Sequence, residues 1–222
     1  MDRKEFLKDN LFVFICASIT FVAILASAII FKQNPIVTLP LFISLFVMFL
    51  NARVSRYAFL VGGLNSILYA VSYLFIGLYA MAINALVISF PLQIITFINW
   101  NKRTEGGITA LKKMKWKWRI LLSLAFVFAW VAMYVIFSLA GSPYLVLDNT
   151  AALIGITVTV LSMLRFSEYA PLNLVSVAIS LVTHTVVFLD DPSNITYVIY
   201  TLYSGICIVA AMIRMNKKKM IK

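Results

Sequence analysis

The chain has 222 residues, of which 63% are hydrophobic and 12% charged, with a formal net charge of +11. A soluble domain is nearer 45–50% apolar and about 25% charged, so this composition excludes one. The cations sit at the ends of apolar runs and in one loop, the placement that orients a membrane protein, which excludes a nucleic-acid surface.

Apolar runs of about 20 residues, each long enough to span a bilayer as a helix, follow one another from end to end. The first, about residues 11–31, follows MDRKEFLKDN, which carries charges of both signs. It is long and lacks a small-residue cleavage site, so it reads as a retained helix rather than a cleaved signal peptide. KQNP (32–35) ends it, and further spans are predicted at about 34–50, 57–76 and 79–100, separated by NARVSR (51–56) and the Gly-Leu turn at 77–78. The basic stretch NKRTEGGITALKKMKWKWR (101–119) follows, with its KWKW end expected at the lipid headgroups. Then come spans at about 119–140, 149–165, 169–189 and 194–213, broken by GSPYLVLDN (141–149), RFSEY (165–169) and DDPSN (190–194).

Eight spans put both termini on one side. If that side is the cytoplasm, 18 of the 19 Lys and Arg lie there and only Lys32 lies outside, with Asp148, Asp190 and Asp191. SRYA (55–58) and SEYA (167–170) recur 112 residues apart, at the same place in two triplets of spans that run parallel because a single helix inverts the connection. The expected architecture is all-α and integral to the membrane. It comprises an extra helix in 1–33, a first three-helix bundle in 34–100, a basic loop and linker helix in 101–148, a second bundle in 149–213 and a basic tail in 214–222. Parallel repeats of this kind are a transporter architecture with the substrate near the midplane.

No Asp, Glu, Lys or Arg is expected well inside any span, whereas ion-coupled carriers commonly keep such groups in the membrane. The internal polarity is neutral. Asn173, Ser176, Ser180 and His184 make one stripe on the seventh helix. Asn65, Tyr69 and Ser72 share a face of the third, Gln93, Phe97 and Trp100 of the fourth, and Tyr197, Thr201 and Ser204 of the eighth. Hydroxyls in membrane helices commonly serve as interhelical glue. A carboxamide has four hydrogen-bonding sites, so Asn65, Asn84, Gln93 and Asn173 read equally as glue or as solute contacts. His184 reads as a packing residue ahead of a proton relay, since no intramembrane carboxylate faces it in sequence. Tyr79, Trp100, Trp116, Trp118 and Tyr144, near span ends, read as belt aromatics. Cys16 and Cys207 read as small hydrophobes. No catalytic, metal-ligand or cofactor motif is present, so an enzyme is not expected.

Residues 57–103, YAFLVGGLNSILYAVSYLFIGLYAMAINALVISFPLQIITFINWNKR, resemble the PnuC family, bacterial transporters of nicotinamide riboside and related vitamin precursors. The matching residues are Gly62, Asn65, Tyr69, Gly77, Leu78, Tyr79, Asn84, Pro91, Gln93, Phe97 and Trp100. In the second half Asp148, Leu161, Arg165 and Glu168 fall at the family's aspartate, leucine, basic and acidic positions, and the resemblance covers about residues 35–213. Thr159 stands where the family commonly has a Gln. EYAPLNLVS replaces its Trp-rich segment, leaving Asn173 or Ser176 for its Asn.

The resemblance implies a SWEET-like 3+1+3 bundle in the bacterial inner membrane with cytoplasmic termini, and a homo-oligomer, a trimer. It implies uptake of a nucleoside-like compound without ion coupling or cofactor, followed by phosphorylation by a separate kinase. It also implies solute contacts from Asn65, Tyr69, Asn84, Gln93, Trp100, Thr159, Asn173 and Ser176. The alternatives are a sugar carrier of the SWEET type and a membrane scaffold or sensor subunit with no cavity at Gln93.

Overall fold

A computed structural model describes residues 3–102, 104–105, 108–139 and 141–217. Arg103 and the lysines at 218, 219 and 222, counted above among the cations that orient the chain, lie outside the described residues. The eight expected spans are α1 (Arg3–Ile30), α2 (Pro35–Ala52), α3 (Tyr57–Phe75), α4 (Tyr79–Lys102), α5 (Trp116–Leu139), α6 (Leu145–Met163), α7 (Tyr169–Asp190) and α8 (Ile195–Lys217). All eight are long and apolar enough to cross a membrane, and the protein is a multi-pass membrane protein. Its outward-facing side chains fit that setting: Leu139 and Phe128 are 86% and 77% exposed, positions that water would punish and lipid does not.

Prolines shape two of these helices. Pro40 stands inside α2 and supplies no N–H, so the carbonyl of Ile36 loses its helical partner. Ser72 Oγ of α3 donates to that carbonyl at 2.8 Å, and Tyr197 OH of α8 donates to the neighbouring Val37 carbonyl at 3.1 Å. In α4 the turns before Pro91 widen into a π-helical segment, Asn84–Ser89, a device common at functional sites.

Each half packs its helices as neighbours in sequence, α2 on α3 on α4 and α6 on α7 on α8. The halves meet reciprocally, α2 against α8 and α4 against α6. They also turn alike at the face that carries the termini. After α2, Val54 (φ 55) adopts the left-handed conformation while Ser55 N–H reaches back to the Leu50 carbonyl at 3.0 Å. After α6, Arg165 (φ 60) does the same while Phe166 N–H reaches the Leu161 carbonyl at 2.9 Å. Both are left-handed helix caps of the kind usually made with Gly.

One expectation is corrected at the opposite, far face. The sequence places Asp148 in an outer loop, but α6 begins at Leu145 and carries it in its first turn, fully buried. Its two carboxylate oxygens accept from Ala80 N–H at 2.8 Å and Met81 N–H at 2.9 Å. The free donors at the start of α4 are thereby capped by a carboxylate from the other half, which explains why a charge survives there.

The extra helices sit outside this core. α1 packs on α2 and α8, with Val13 and Ile24 joining Leu41, Leu45, Met48 and Cys207 in a buried cluster. α5 leans on α6, where Asn149 Nδ2 donates to the Trp130 carbonyl and Trp130 Nε1 to Thr150 Oγ1, both at 3.0 Å. Of α5 only Phe137 is buried. The basic loop holds a short hairpin of β1 (Thr104–Glu105) and β2 (Ile108–Thr109). It is then pinned to the α6–α7 turn: Lys112 N–H donates to the Arg165 carbonyl and Ser167 N–H to the Lys112 carbonyl, both at 3.0 Å. Glu168 completes the tie by accepting from Met114 N–H at 3.0 Å and Arg119 at 2.6 Å. Partial burial alone would raise its pKa, but hydrogen bonds from Met114, its own backbone, Arg119 and Ser167 outweigh that and hold the carboxyl below its ordinary range.

Candidate functional site

Between the halves lies a cavity of about 270 Å³, just under the roughly 300–1,000 Å³ typical of ligand pockets. α2 supplies Ser44, Val47, Met48 and Asn51; α3 supplies Gly62, Asn65, Ser66, Tyr69 and Tyr73; α4 supplies Gln93. α7 contributes Asn173, Ser176, Val177, Ser180 and His184, and α8 contributes Tyr200, Thr201, Ser204 and Ile208. The stripe predicted on α7 thus lines the cavity along its length. Among the described residues the lining contains no Asp, Glu, Lys or Arg.

The cavity reaches from Asn51, in the last turn of α2 at the termini face, to a layer of rings toward the far face. There Tyr69 stacks on Tyr73 at 5.3 Å, Tyr73 lies 6.2 Å from Tyr197, and Tyr197 lies 5.2 Å from His184. Bonds to α2 hold this layer, because Ser72 donates to the Ile36 carbonyl that Pro40 leaves free and Tyr197 donates to the Val37 carbonyl beside it. These two residues, grouped with cavity faces in the sequence, therefore close the cavity instead of lining it.

Several polar groups at the cavity are fixed by bonds that leave a second atom unpartnered. Asn65 donates through Nδ2 to the Pro40 carbonyl at 2.9 Å and to Ser44 Oγ at 2.8 Å. Its Oδ1 is buried with no partner among the described residues. Thr201 Oγ1 gives its hydrogen to the Tyr197 carbonyl at 2.7 Å, so His184 Nδ1, 2.9 Å from that oxygen, must be the donor. His184 Nε2 is then an acceptor, also without a partner. Gln93 Nε2 donates to Ser66 Oγ at 3.2 Å. Gly62 makes room for it, since a Cβ there would stand 2.6 Å from Gln93 Oε1.

Of the eight residues expected to contact solute, Asn65, Tyr69, Gln93, Asn173 and Ser176 line this cavity together. Asn84, Trp100 and Thr159 do not. Asn84 sits in the π-helical segment facing α6, where its Nδ2 would be 3.2 Å from a Cβ on Gly155 and its Oδ1 accepts from Ser89 Oγ at 3.2 Å. Thr159 bonds its own helix, donating to the Gly155 carbonyl at 2.8 Å. Trp100 is neither a belt aromatic nor a cavity residue. It is 1% exposed, donates to the Ser162 carbonyl at 3.0 Å, and packs edge-on against Phe59 at 4.8 Å. Trp116 and Trp118, by contrast, are 70% and 58% exposed, as belt residues should be. Ser44, Asn51, Ser66 and Tyr200 were not anticipated at the cavity. Ser44 and Asn51 are seven residues apart on one face of α2, and that spacing was the available signal.

A membrane-spanning helical bundle that encloses a small, neutral, hydrogen-bonding cavity between two three-helix groups has the build of a solute carrier. The family model described as "Nicotinamide mononucleotide transporter" matches residues 34–215, and the chain belongs to that family. A solved structure, "Crystal structure of the Vitamin B3 transporter PnuC", shares the fold with a TM-score of 0.70 at 17% identity, over 93% of this chain and 92% of that one. No curated protein matches.

Proposed function

We propose that the protein carries a nucleoside-like vitamin precursor, nicotinamide riboside or a related compound such as thiamine, riboflavin or a deoxynucleoside, across the bacterial inner membrane. The observation that carries this reading is the neutral cavity. Asn65 Oδ1 and His184 Nε2 are acceptors awaiting donors, which hydroxyls and carboxamide N–H groups supply and a phosphate does not. With no cation in the lining, a phosphorylated nucleotide would lose its water shell without compensation. Movement is downhill and uncoupled from ions. Asp148, an acid inside a span, has both oxygens occupied by the start of α4 and is absent from the cavity lining. Trapping by a separate kinase then gives the transport its direction.

The termini face is the cytoplasmic one in this reading, in accord with its cations. The assembly is a trimer by the family resemblance, and light scattering on the detergent-solubilised protein should return three chains.

The test is a calorimetric titration of the purified protein with each candidate nucleoside, its 5′-phosphate, and glucose. One nucleoside should bind, its phosphate should bind at least tenfold more weakly, and Gln93→Ala should weaken the nucleoside by about tenfold, the scale of one buried hydrogen bond. Tighter binding of the phosphate would refute the neutral-substrate reading. Binding of glucose alone would favour a sugar carrier, and no binding at all would favour a scaffold.

A further inference from the structure

A second pocket, of about 390 Å³, lies at the termini face and is separate from the solute cavity. It is lined by Asn99, Lys102, Lys112, Met163, Leu164 and Arg165. Its three cations come from three different pieces of chain: the end of α4, the basic loop and the turn after α6. Two of them are fixed in place. Arg165 is set by its left-handed backbone and by donating Nη1 to the Ala110 carbonyl at 3.4 Å. Lys112 is set by the backbone bonds that pin the loop to the turn, with Nζ 4.5 Å from the centre of the Phe166 ring.

A bland reading would have these cations neutralise the carbonyl ends of the helices. At α6 three of the last four carbonyls are already satisfied. Val160, Leu161 and Ser162 accept from Leu164, Phe166 and Arg165 N–H groups respectively, and Ser162 also accepts from Trp100. Nor do carboxylates use the cations. Glu168, the acid of the same turn, is occupied by Arg119 and Met114, and among the described residues Lys102, Lys112 and Arg165 have no ion-pair partner. One pocket is thus lined by three cations, Lys102 and Lys112 exposed and Arg165 half-buried, none of them paired with a described carboxylate.

We propose that this pocket binds the phosphodiester of an anionic phospholipid, with Lys102, Lys112 and Arg165 on the phosphate, Asn99 supplying a neutral donor, and Met163 and Leu164 against the first carbons of the lipid. The depth selects a lipid over a soluble anion. Lys102 and Met163 are the last residues of their spans, and the exposed Trp116 and Trp118 begin the next helix just beyond the loop. That is headgroup level. Basic pockets between helices at this depth suit acidic headgroups, while the lipid surface alone attracts scattered cations.

Native mass spectrometry of the full-length protein, released from bilayers of phosphatidylcholine with phosphatidylglycerol, would count retained lipids. The wild type should retain phosphatidylglycerol in preference to phosphatidylcholine. Lys102→Gln, Lys112→Gln and Arg165→Gly together should abolish that preference, and each alone should lower it about fivefold, the effect of one cation near such a surface. Glycine at 165 suits the backbone there, so the triple variant should fold, which an unchanged elution volume and unchanged solute binding would verify. A control removing the same charge outside the pocket, Lys113→Gln, Lys115→Gln and Lys117→Gln, should leave the preference intact. Equal losses in both triples would reduce the effect to diffuse surface charge and overturn the site. Thermal protection by inorganic phosphate equal to that by phosphatidylglycerol would overturn the lipid. Retention unchanged in the pocket triple would overturn both.

Discussion

A methyl group at Gly62 would stand 2.6 Å from Gln93 Oε1 and 3.2 Å from Val47, so Gly62→Ala makes the Gln93 amide swing away from Ser66. The backbone itself gains from the change, because Ala is favoured over Gly inside a helix by up to about 1 kcal/mol. The two effects have opposite signs on two readouts. The variant should melt no lower than the wild type in detergent, yet bind its solute about fivefold more weakly, as one displaced hydrogen bond implies. At this scale the sequence was legible where a side chain could not be content in lipid. Asn65, Gln93 and Asn173 announce a polar interior because a carboxamide in hydrocarbon needs partners. What stayed hidden was which partners. Asn84 and Trp100 carry the family's identities, but their contacts with Gly155 and Ser162 come from a packing between halves that no local spacing encodes.

Helices and turns were the most readable level, and their misreadings have local causes. The π-helical widening at Asn84–Ser89 leaves no mark in the spacing of its apolar residues, so α4 reads from sequence as one regular helix. The start of α6 was placed late because Asp148 and Asn149 look like loop residues, whereas the chain is already helical at Leu145. Val54 is a β-branched strand former, yet it is held at φ 55, where such a side chain is strained. Val54→Gly should relieve that strain and raise the unfolding free energy by about 1 kcal/mol, visible as a higher melting temperature with solute affinity unchanged. A fall in melting temperature would mean that Val54's packing against the Trp100 cluster outweighs its backbone cost.

Across the whole molecule, the eight spans and their alternation followed from apolar length and cation placement alone. The fastening between halves did not, because Asp148 and its donors Ala80 and Met81 are 68 and 67 residues apart. Asp148→Asn keeps the shape but offers one good acceptor where two N–H groups need partners, and should cost about 2 kcal/mol in chemical or thermal unfolding. An unchanged midpoint would show that water can take over. This fastening sits at the far face, beside the tyrosine layer, while the cavity extends toward the termini. The halves are joined at the termini end as well, where Trp100 of α4 donates to the Ser162 carbonyl of α6. That bond is single and neutral, whereas the far one is a pair made to a carboxylate, and charge-assisted bonds are roughly twice as strong. Any tilt that parts α4 from α6 at the far face must surrender both bonds to Asp148 together, so a clasp that never lines the cavity holds that face the more firmly of the two.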